Sequence, residues 1–259
     1  VRLPRLIVTG SSGFIGRHLL EALKERYEIF GIARRSQTRS GAPDHANIHW
    51  HQVDIAEERR LAAVFREIRR GGEIDTVIHL AAHYDFGDGT DAEYYRTNVD
   101  GLRNILELSR EIGARQFVFS SSLAACAFPR PGEALTESSA PDGDHIYAKT
   151  KAIGEAMLAE YEADFKSLIV RFAALFSDWC EYPPVFMFMN TWLSRAWNRR
   201  ILGGRGQSAI PYLHVRDAVT FLEALLDRIE ELGAGEVLIA SADGAVTHTE
   251  LFYAVTHYY

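Results

Sequence analysis

Short apolar runs alternate along this chain with stretches in which apolar residues recur every three or four positions. Leu6-Ile7-Val8, Tyr27 to Ala33, Ile48 to Val53, Asp75 to Ala82 and Gln116 to Ser122 read as five strands. Between them, Phe14 to Leu23, Glu57 to Arg70 and a long stretch from about Ala92 to Ile112 carry helical spacing, and a further helix opens at His145 and runs through Glu160. Residues 37–47 form a polar loop holding Gly41 and Pro43. Strands alternating with helices predict an α/β fold, a doubly wound parallel sheet covered on both faces. Residues 1–172 and 206–240 are expected to form the nucleotide-binding part. Residues 173–205 and 241–259 are expected to form a smaller substrate-binding lobe, truncated at its C-terminal end.

Composition narrows the class. A chain of 259 residues with 47% hydrophobic content can bury a full core, and a formal charge of −7 gives no support for a nucleic-acid partner. Two cysteines, Cys126 and Cys180, do not make a disulfide framework. No apolar run approaches the roughly 18 residues that span a bilayer. The first strand follows Val1-Arg2-Leu3-Pro4 directly, so a cytoplasmic protein without a signal peptide is expected. The helical run Glu250 to Val255 meets the end at Tyr259 without a cap, as expected of an excised domain. The ten histidines show no HExxH or Cys-x-x-Cys pairing, so no metal site is expected. Cys126 reads as a small core residue, since no basic partner is visible.

The candidate chemistry begins at Thr9-Gly10-Ser11-Ser12-Gly13-Phe14-Ile15-Gly16, between the first strand and the first helix. Glycines there let the backbone turn sharply and approach a pyrophosphate, and the helix N-terminus supplies a favourable field for the anion. The Gly-x-x-Gly-x-x-Gly spacing is one residue wider than the usual dinucleotide fingerprint. At the end of the second strand, where a carboxylate would bind the adenosine ribose, stand Arg34 and Arg35. A guanidinium fork matches a phosphate, so the pair favours NADP, with NAD possible; the competing reading is a solvated basic loop. Asp54 either hydrogen-bonds the adenine amino group or caps the following helix. The small residues after Leu80, Ala81 and Ala82, let a cofactor lie close to the backbone. Asn98, inside the long helix, is either an anchor for a water or a backbone carbonyl near the site or an exposed helical side chain.

Tyr147 and Lys151 are four residues apart and share one helix face. A phenol with a reference pKa near 10 is a poor base, but one positive charge at ~4 Å is worth about 4 kcal/mol at an effective dielectric of 20, roughly three pKa units at most. Lys151, helped by an oxidised nicotinamide, is therefore expected to bring Tyr147 into catalytic range. Ser122, at the tip of the fifth strand, then holds the substrate oxygen while Tyr147 exchanges its proton.

Together these residues resemble the extended short-chain dehydrogenase/reductases, the NAD-dependent epimerase/dehydratase family. The matching pieces are Thr9 to Gly16, Asp54-Ile55, His79-Leu80-Ala81-Ala82, Asn98-Val99-Asp100-Gly101, Ser120-Ser121-Ser122, Tyr147 with Lys151, and His214-Val215-Arg216-Asp217-Ala218. They come in the family's order over nearly the whole chain. The resemblance implies a Rossmann-type sheet, a Ser122/Tyr147/Lys151 triad with Lys151 also on the nicotinamide ribose, and cofactor contacts from Ile55, Leu80 and Ser120. It also implies a homodimer through the helices near 92–112 and 146–162. The departures are informative. Ser122 is followed by Leu123-Ala124, not the Asp-Glu of the 4,6-dehydratases. Ile210-Pro211 stands where the nucleotide-sugar epimerases usually place an arginine on the diphosphate, with Arg205 nearby as a substitute.

Trp179, Tyr182, Phe186, Met187, Phe188, Met189, Trp192 and Trp197 are either a helix packing its apolar face or a pocket wall, and His83-Tyr84 are either polar contacts at the pocket mouth or plain loop. The expected activity is NADP(H)-dependent oxidoreduction of a secondary alcohol or ketone on a fairly apolar small molecule. The alternatives are a nucleotide-sugar epimerase with bound NAD and a non-catalytic dinucleotide-binding module.

Overall fold

The computed structural model describes residues 2–85, 91–130, 133–178 and 183–258. Its centre is a seven-stranded parallel sheet. The strands are β1 (Arg5–Thr9), β2 (Glu28–Ala33), β3 (Ile48–Gln52), β4 (Thr76–His79), β5 (Gln116–Ser122), β6 (Lys166–Phe172) and, after three short strands, β10 (Glu236–Ala240). Their order across the sheet is β10-β6-β5-β4-β1-β2-β3. The direction of travel reverses between β1 and β4, and in a doubly wound sheet a ligand binds at that switch point, outside the carboxyl ends of the strands.

Side chains alternate across each strand, so one strand feeds two cores. Ile7, Val77, Phe117 and Phe119 face a cluster closed by α3 (Glu58–Arg70), α5 (Gly101–Glu111) and α6 (Ile146–Leu158). Leu6, Val8, Ile78 and Val118 face the opposite cluster, closed by α1 (Phe14–Leu23) and α8 (Val215–Arg228). Burial on both faces is why these strands read as continuous apolar runs. A single helical turn, α2 (Gln37–Ser40), follows β2; Ser36 caps it and Gly41 stops it at φ 66°.

The long helix expected over 92–112 is present and carries a π turn inside it. α4 (Asp91–Tyr95) leads into a π-helical turn, Arg96–Asp100, and only then into α5. The extra residue of the π turn changes where Asn98 points, and such turns are frequent at functional sites.

The remaining elements are β7 (Ala174–Phe176), α7 (Pro183–Trp192), β8 (Ala209–Ile210), β9 (Tyr212–His214), β11 (Val246–Thr247) and α9 (His248–Tyr258). β7 pairs with β9 and β8 with β11. Trp192 of α7 meets Phe252 of α9 edge-on, with ring centroids 5.4 Å apart. Much of the aromatic run is therefore exposed helix surface: Phe186 is 55% and Met187 64% exposed, whereas Trp192 is buried. Trp179 and Tyr182 lie outside the described residues. No described helix is long and apolar enough to cross a membrane.

One charged pair is sealed inside the sheet. The Arg171 guanidinium of β6 makes two hydrogen bonds to the Glu155 carboxylate of α6, at 2.7 and 2.9 Å, with both side chains almost wholly buried. Arg171 also donates to the Ser139 carbonyl at 2.7 Å, which ties down the loop entering α6, and Ser121 donates to Glu155 at 2.5 Å. Removing one partner of a buried pair leaves an uncompensated charge. Arg171→Met is expected to lower unfolding free energy by about 3–5 kcal/mol, measured by urea denaturation.

Candidate active site

β1 delivers the chain to Gly10 at φ 72°, a conformation that suits glycine. A Cβ on Gly10 would sit 2.6 Å from the Ala81 nitrogen, and one on Gly16 would collide with the Gly10 carbonyl oxygen. The glycines thus let strand, helix and the neighbouring strand end meet backbone to backbone. Below them the Thr9 hydroxyl accepts the Ala81 N–H at 3.2 Å and lies 2.9 Å from His79 Nδ1. Burial drives His79 down to a pKa of about 3, so this contact is between neutral groups at physiological pH.

Gly13 is the N-cap of α1, and no side chain caps the amides of the first turn. A bare helix N-terminus beside a glycine turn fits the pyrophosphate of a dinucleotide. On that chemistry, NAD(P) suits the loop formed by Gly10, Ser12, Gly13, Phe14, Ile15 and Gly16.

The adenosine end is differently arranged from the simple expectation. Arg35 folds back on the glycine turn, donating to the Ser12 carbonyl and, at 3.4 Å, to the Ser12 hydroxyl. Arg34 is more than half exposed and lies 3.5 Å from the Glu93 carboxylate. Asp54 accepts the Ala56 N–H at 2.9 Å and Arg96 at 2.8 Å. Burial pushes its carboxyl up, but Ala56 and Arg96 together hold it below the ordinary carboxylate range. Asp54 turns the backbone ahead of α3, whose N-cap is Glu57. Ile55 is buried under Gly101 of α5.

At the tips of β4 and β5 the catalytic candidates converge. His145 caps α6 by accepting the Ala148 N–H at Nδ1, which fixes the start of the helix carrying Tyr147 and Lys151. Ser122 acts on the Tyr147 phenol by favouring its ionised form, and Ser122 Oγ accepts the Ala124 N–H at 3.1 Å. Lys151 is 3% exposed; its ammonium donates to the Ser120 carbonyl at 2.6 Å and lies 5.6 Å from the Tyr147 ring centre.

The electrostatics differ from the expectation of a lysine-lowered phenol. Burial raises Tyr147 well above the ordinary tyrosine value, neighbouring Tyr84 adds to this, and Ser122 offsets part of it. Lys151 is itself lowered to about 8 by burial, opposed by Glu155. Its nearest partner is the Ser120 carbonyl, so the protein alone holds the phenol protonated.

Asn98 sits in the π turn and grips the loop after β4: its Oδ1 accepts the His83 N–H at 2.6 Å, and its Nδ2 donates to the His83 carbonyl at 3.0 Å and to Thr150 at 3.1 Å. Sequence reasoning missed Tyr94, which holds Asp85, along with the capping role of His145 and the Glu155–Arg171 pair. Arg171, a charged residue inside the apolar strand Leu168 to Phe172, was the available signal for the last.

In the C-terminal part a cavity of about 270 Å³ is lined by Phe188, Trp192, Ile201, Leu202, Gly203, Ser208 and His248. Phe186 is not among its lining residues. Arg205, between Gly203 and Ser208, has an exposed side chain and a left-handed φ of 59°. Among the described residues no group of three His, Cys, Asp or Glu side chains is placed to hold a metal ion.

Comparison with known proteins agrees with this architecture. The model of the NAD dependent epimerase/dehydratase family matches residues 6–240. The UDP-glucose 4-epimerase of Schizosaccharomyces pombe is 30% identical over 175 residues, 63% of this chain and 48% of that protein. That of Arabidopsis thaliana is 26% identical over 182 residues, 64% of this chain and 51% of that protein. The chain therefore spans about half the length of these relatives. Among solved structures, a UDP-galactose 4-epimerase superposes with a TM-score of 0.74 at 27% identity, over 95% of this chain and 79% of the other. A dTDP-glucose 4,6-dehydratase from Bacillus anthracis in complex with NAD gives a TM-score of 0.80 at 20% identity, over 98% and 80%. With a family match across nearly its whole length, this chain belongs to the NAD-dependent epimerase/dehydratase family.

Proposed function

We propose that this chain inverts a secondary alcohol on a nucleotide sugar, using bound NAD that returns to its starting state each turnover. The observation that carries the reading is the Ser122–Tyr147 hydroxyl pair beside the buried Lys151 ammonium, at the carboxyl edge of the strands and across the switch point from the bare α1 N-terminus. The similarity to UDP-glucose 4-epimerases directs it toward nucleotide sugars. NAD supplies the hydride acceptor and donor. Ser122 holds the substrate oxygen; Tyr147 takes the hydroxyl proton as the alcohol is oxidised and returns it as the ketone is reduced. Lys151 orients the ribose, and its charge together with that of bound oxidised nicotinamide opposes the burial that keeps the phenol protonated in the protein alone.

Both arginines at the adenosine end have partners, Arg35 on Ser12 and Arg34 on Glu93, which supports a ribose hydroxyl over a 2′-phosphate there. Arg205, exposed and between the cavity residues Gly203 and Ser208 in the sequence, supports a diphosphate partner in place of the arginine absent at Ile210-Pro211.

A second reading is an NADP(H)-dependent reductase of an apolar ketone. The two guanidiniums at the end of β2 and the aromatic lining of the cavity by Phe188 and Trp192 favour it.

The deciding experiment incubates the protein with UDP-glucose or UDP-galactose and follows interconversion together with cofactor absorbance. Interconversion without net change in cofactor is expected. Net oxidation of NADPH with a ketone, and no interconversion, would move the assignment to the reductase. Tyr147→Phe is expected to lower turnover ~10²–10⁴-fold while leaving cofactor affinity intact, measured by steady-state kinetics and calorimetry. The same calorimetry is expected to give tighter binding of NAD than of NADP. Tighter NADP binding that is lost in Arg34→Ala would contradict the NAD assignment.

A further inference from the structure

The segment after β4 is fastened with unusual completeness around a single side chain. On one side of Tyr84, both backbone groups of His83 are bonded to the Asn98 carboxamide, at 2.6 and 3.0 Å. On the other side, both backbone groups of Asp85 are bonded to one hydroxyl, that of Tyr94, each at 3.0 Å. Tyr94 is buried and its ring meets His83 edge-on, with centroids 4.6 Å apart. Asn98 is buried too, and is locked in turn onto Thr150 of the catalytic helix. Four backbone hydrogen bonds thus fix two residues of a loop whose sequence alone would let it wander.

What they present is the Tyr84 ring. It packs on Tyr147 with centroids 4.5 Å apart at 60°, a favourable edge-to-face geometry, while its own outer surface is 48% exposed. His145 lies nearly parallel to Tyr147, 6.3 Å away. Tyr147 is thereby held between a loop aromatic and a cap aromatic.

We propose that Tyr84 is a positioning residue for Tyr147, its ring held by the Asn98 and Tyr94 brackets so as to shield the Tyr147 phenol from water. The proposal rests on Tyr147 as the proton-exchanging group of the function proposed above. Its physical content is desolvation: removing apolar cover restores water to a phenol and lowers its pKa. The titratable and charged groups facing Tyr147 are Lys151 and His145 from α6 and its cap, Tyr84 from the loop after β4 and Tyr94 from α4; Ser122 from β5 favours its ionised form. The oxidative half of the reaction needs the phenolate, so its rate rises with pH through this group's pKa, and uncovering the phenol moves that rise to lower pH.

The test reads the phenol directly, without turnover. The protein with NAD bound is labelled with carbon isotope at tyrosine Cζ, the Tyr147 signal is assigned by its loss in Tyr147→Phe, and its ionisation is followed by NMR. In Tyr84→Ala the onset of ionisation is expected to move down by about one pH unit. Tyr84→Phe, which keeps the ring, should stay near wild type. Tyr94→Phe, which removes both bonds to Asp85 and touches no reacting atom, should shift in the same direction by less. Calorimetric NAD affinity should be unchanged in all three. An unshifted Tyr147 signal in a folded, NAD-binding Tyr84→Ala protein would overturn the proposal, as would equal shifts in Tyr84→Phe and Tyr84→Ala. A chain inactive on UDP-sugars that still shows the shift would refute the function proposed above and leave the positioning role standing. Where interconversion is active, the acid limb of kcat/KM should move with the NMR onset.

Discussion

The structure turns on a contact that has no side chain in it. Residue 10 lies directly against the backbone of Leu80 and Ala81, and residue 16 against the backbone of residue 10. Any Cβ at either position would force β1, β4 and α1 apart. Keeping them together leaves peptide groups at the switch point of the sheet, beside the uncapped α1 N-terminus. The Thr9 hydroxyl, reaching both Ala81 and His79, holds the same junction from below. A dinucleotide laid across such a surface would meet amides and a helix dipole, and the backbone would set its position. The candidate catalytic side chains, at the tip of β5 and the start of α6, then need only be placed relative to that backbone.

That placement is made by buried polar groups, each satisfied. Glu155 and Arg171 neutralise one another while spending their remaining hydrogen bonds on Ser121 and the Ser139 carbonyl, joining β5, β6, α6 and the loop that leads into α6. Lys151 lies a helical turn away from Glu155 and binds the Ser120 carbonyl. Charged groups in a low-dielectric interior lose much if moved, so they define one arrangement of strand tips and helix start. The buried charge costs Lys151 part of its proton affinity, and burial makes Tyr147 a weaker acid than tyrosine in water. Left to itself the protein therefore stores the proton on the phenol.

Local patterns in the sequence were enough for the sheet and the glycine turn after β1. Apolar runs become strands buried on both faces, and glycines at 10, 13 and 16 mark a turn whose neighbours are backbone. Ser122, Tyr147 and Lys151 were legible because a strand end and an i, i+4 pair carry their own spacing. What was not legible depends on pairs far apart in the chain. Asp54 meets Arg96, Arg34 meets Glu93, and Arg35 turns back to Ser12, so residues that look like free cofactor ligands have partners. The expectation of a lysine-lowered phenol left out two long-range facts: spacing put the ammonium on the right helix face but said nothing of the Ser120 carbonyl that holds it or of the burial that raises the phenol. The aromatic run from Phe186 to Trp197 shows the same limit, since composition does not distinguish a buried Trp192 from an exposed Trp197.

The π turn at Arg96–Asp100 gives a single residue disproportionate leverage. A regular helix advances about 100° per residue, so one extra residue acts as a phase slip between two otherwise continuous segments. Beyond the slip, Leu102, Ile105 and Leu106 keep their seats in the core. Tyr94 before it and Asn98 within it reach the loop after β4. Chain length at this point is therefore a steering variable for the active site that hydrophobic packing does not sense: an insertion or deletion there would re-aim the site while the core remained blind to the change.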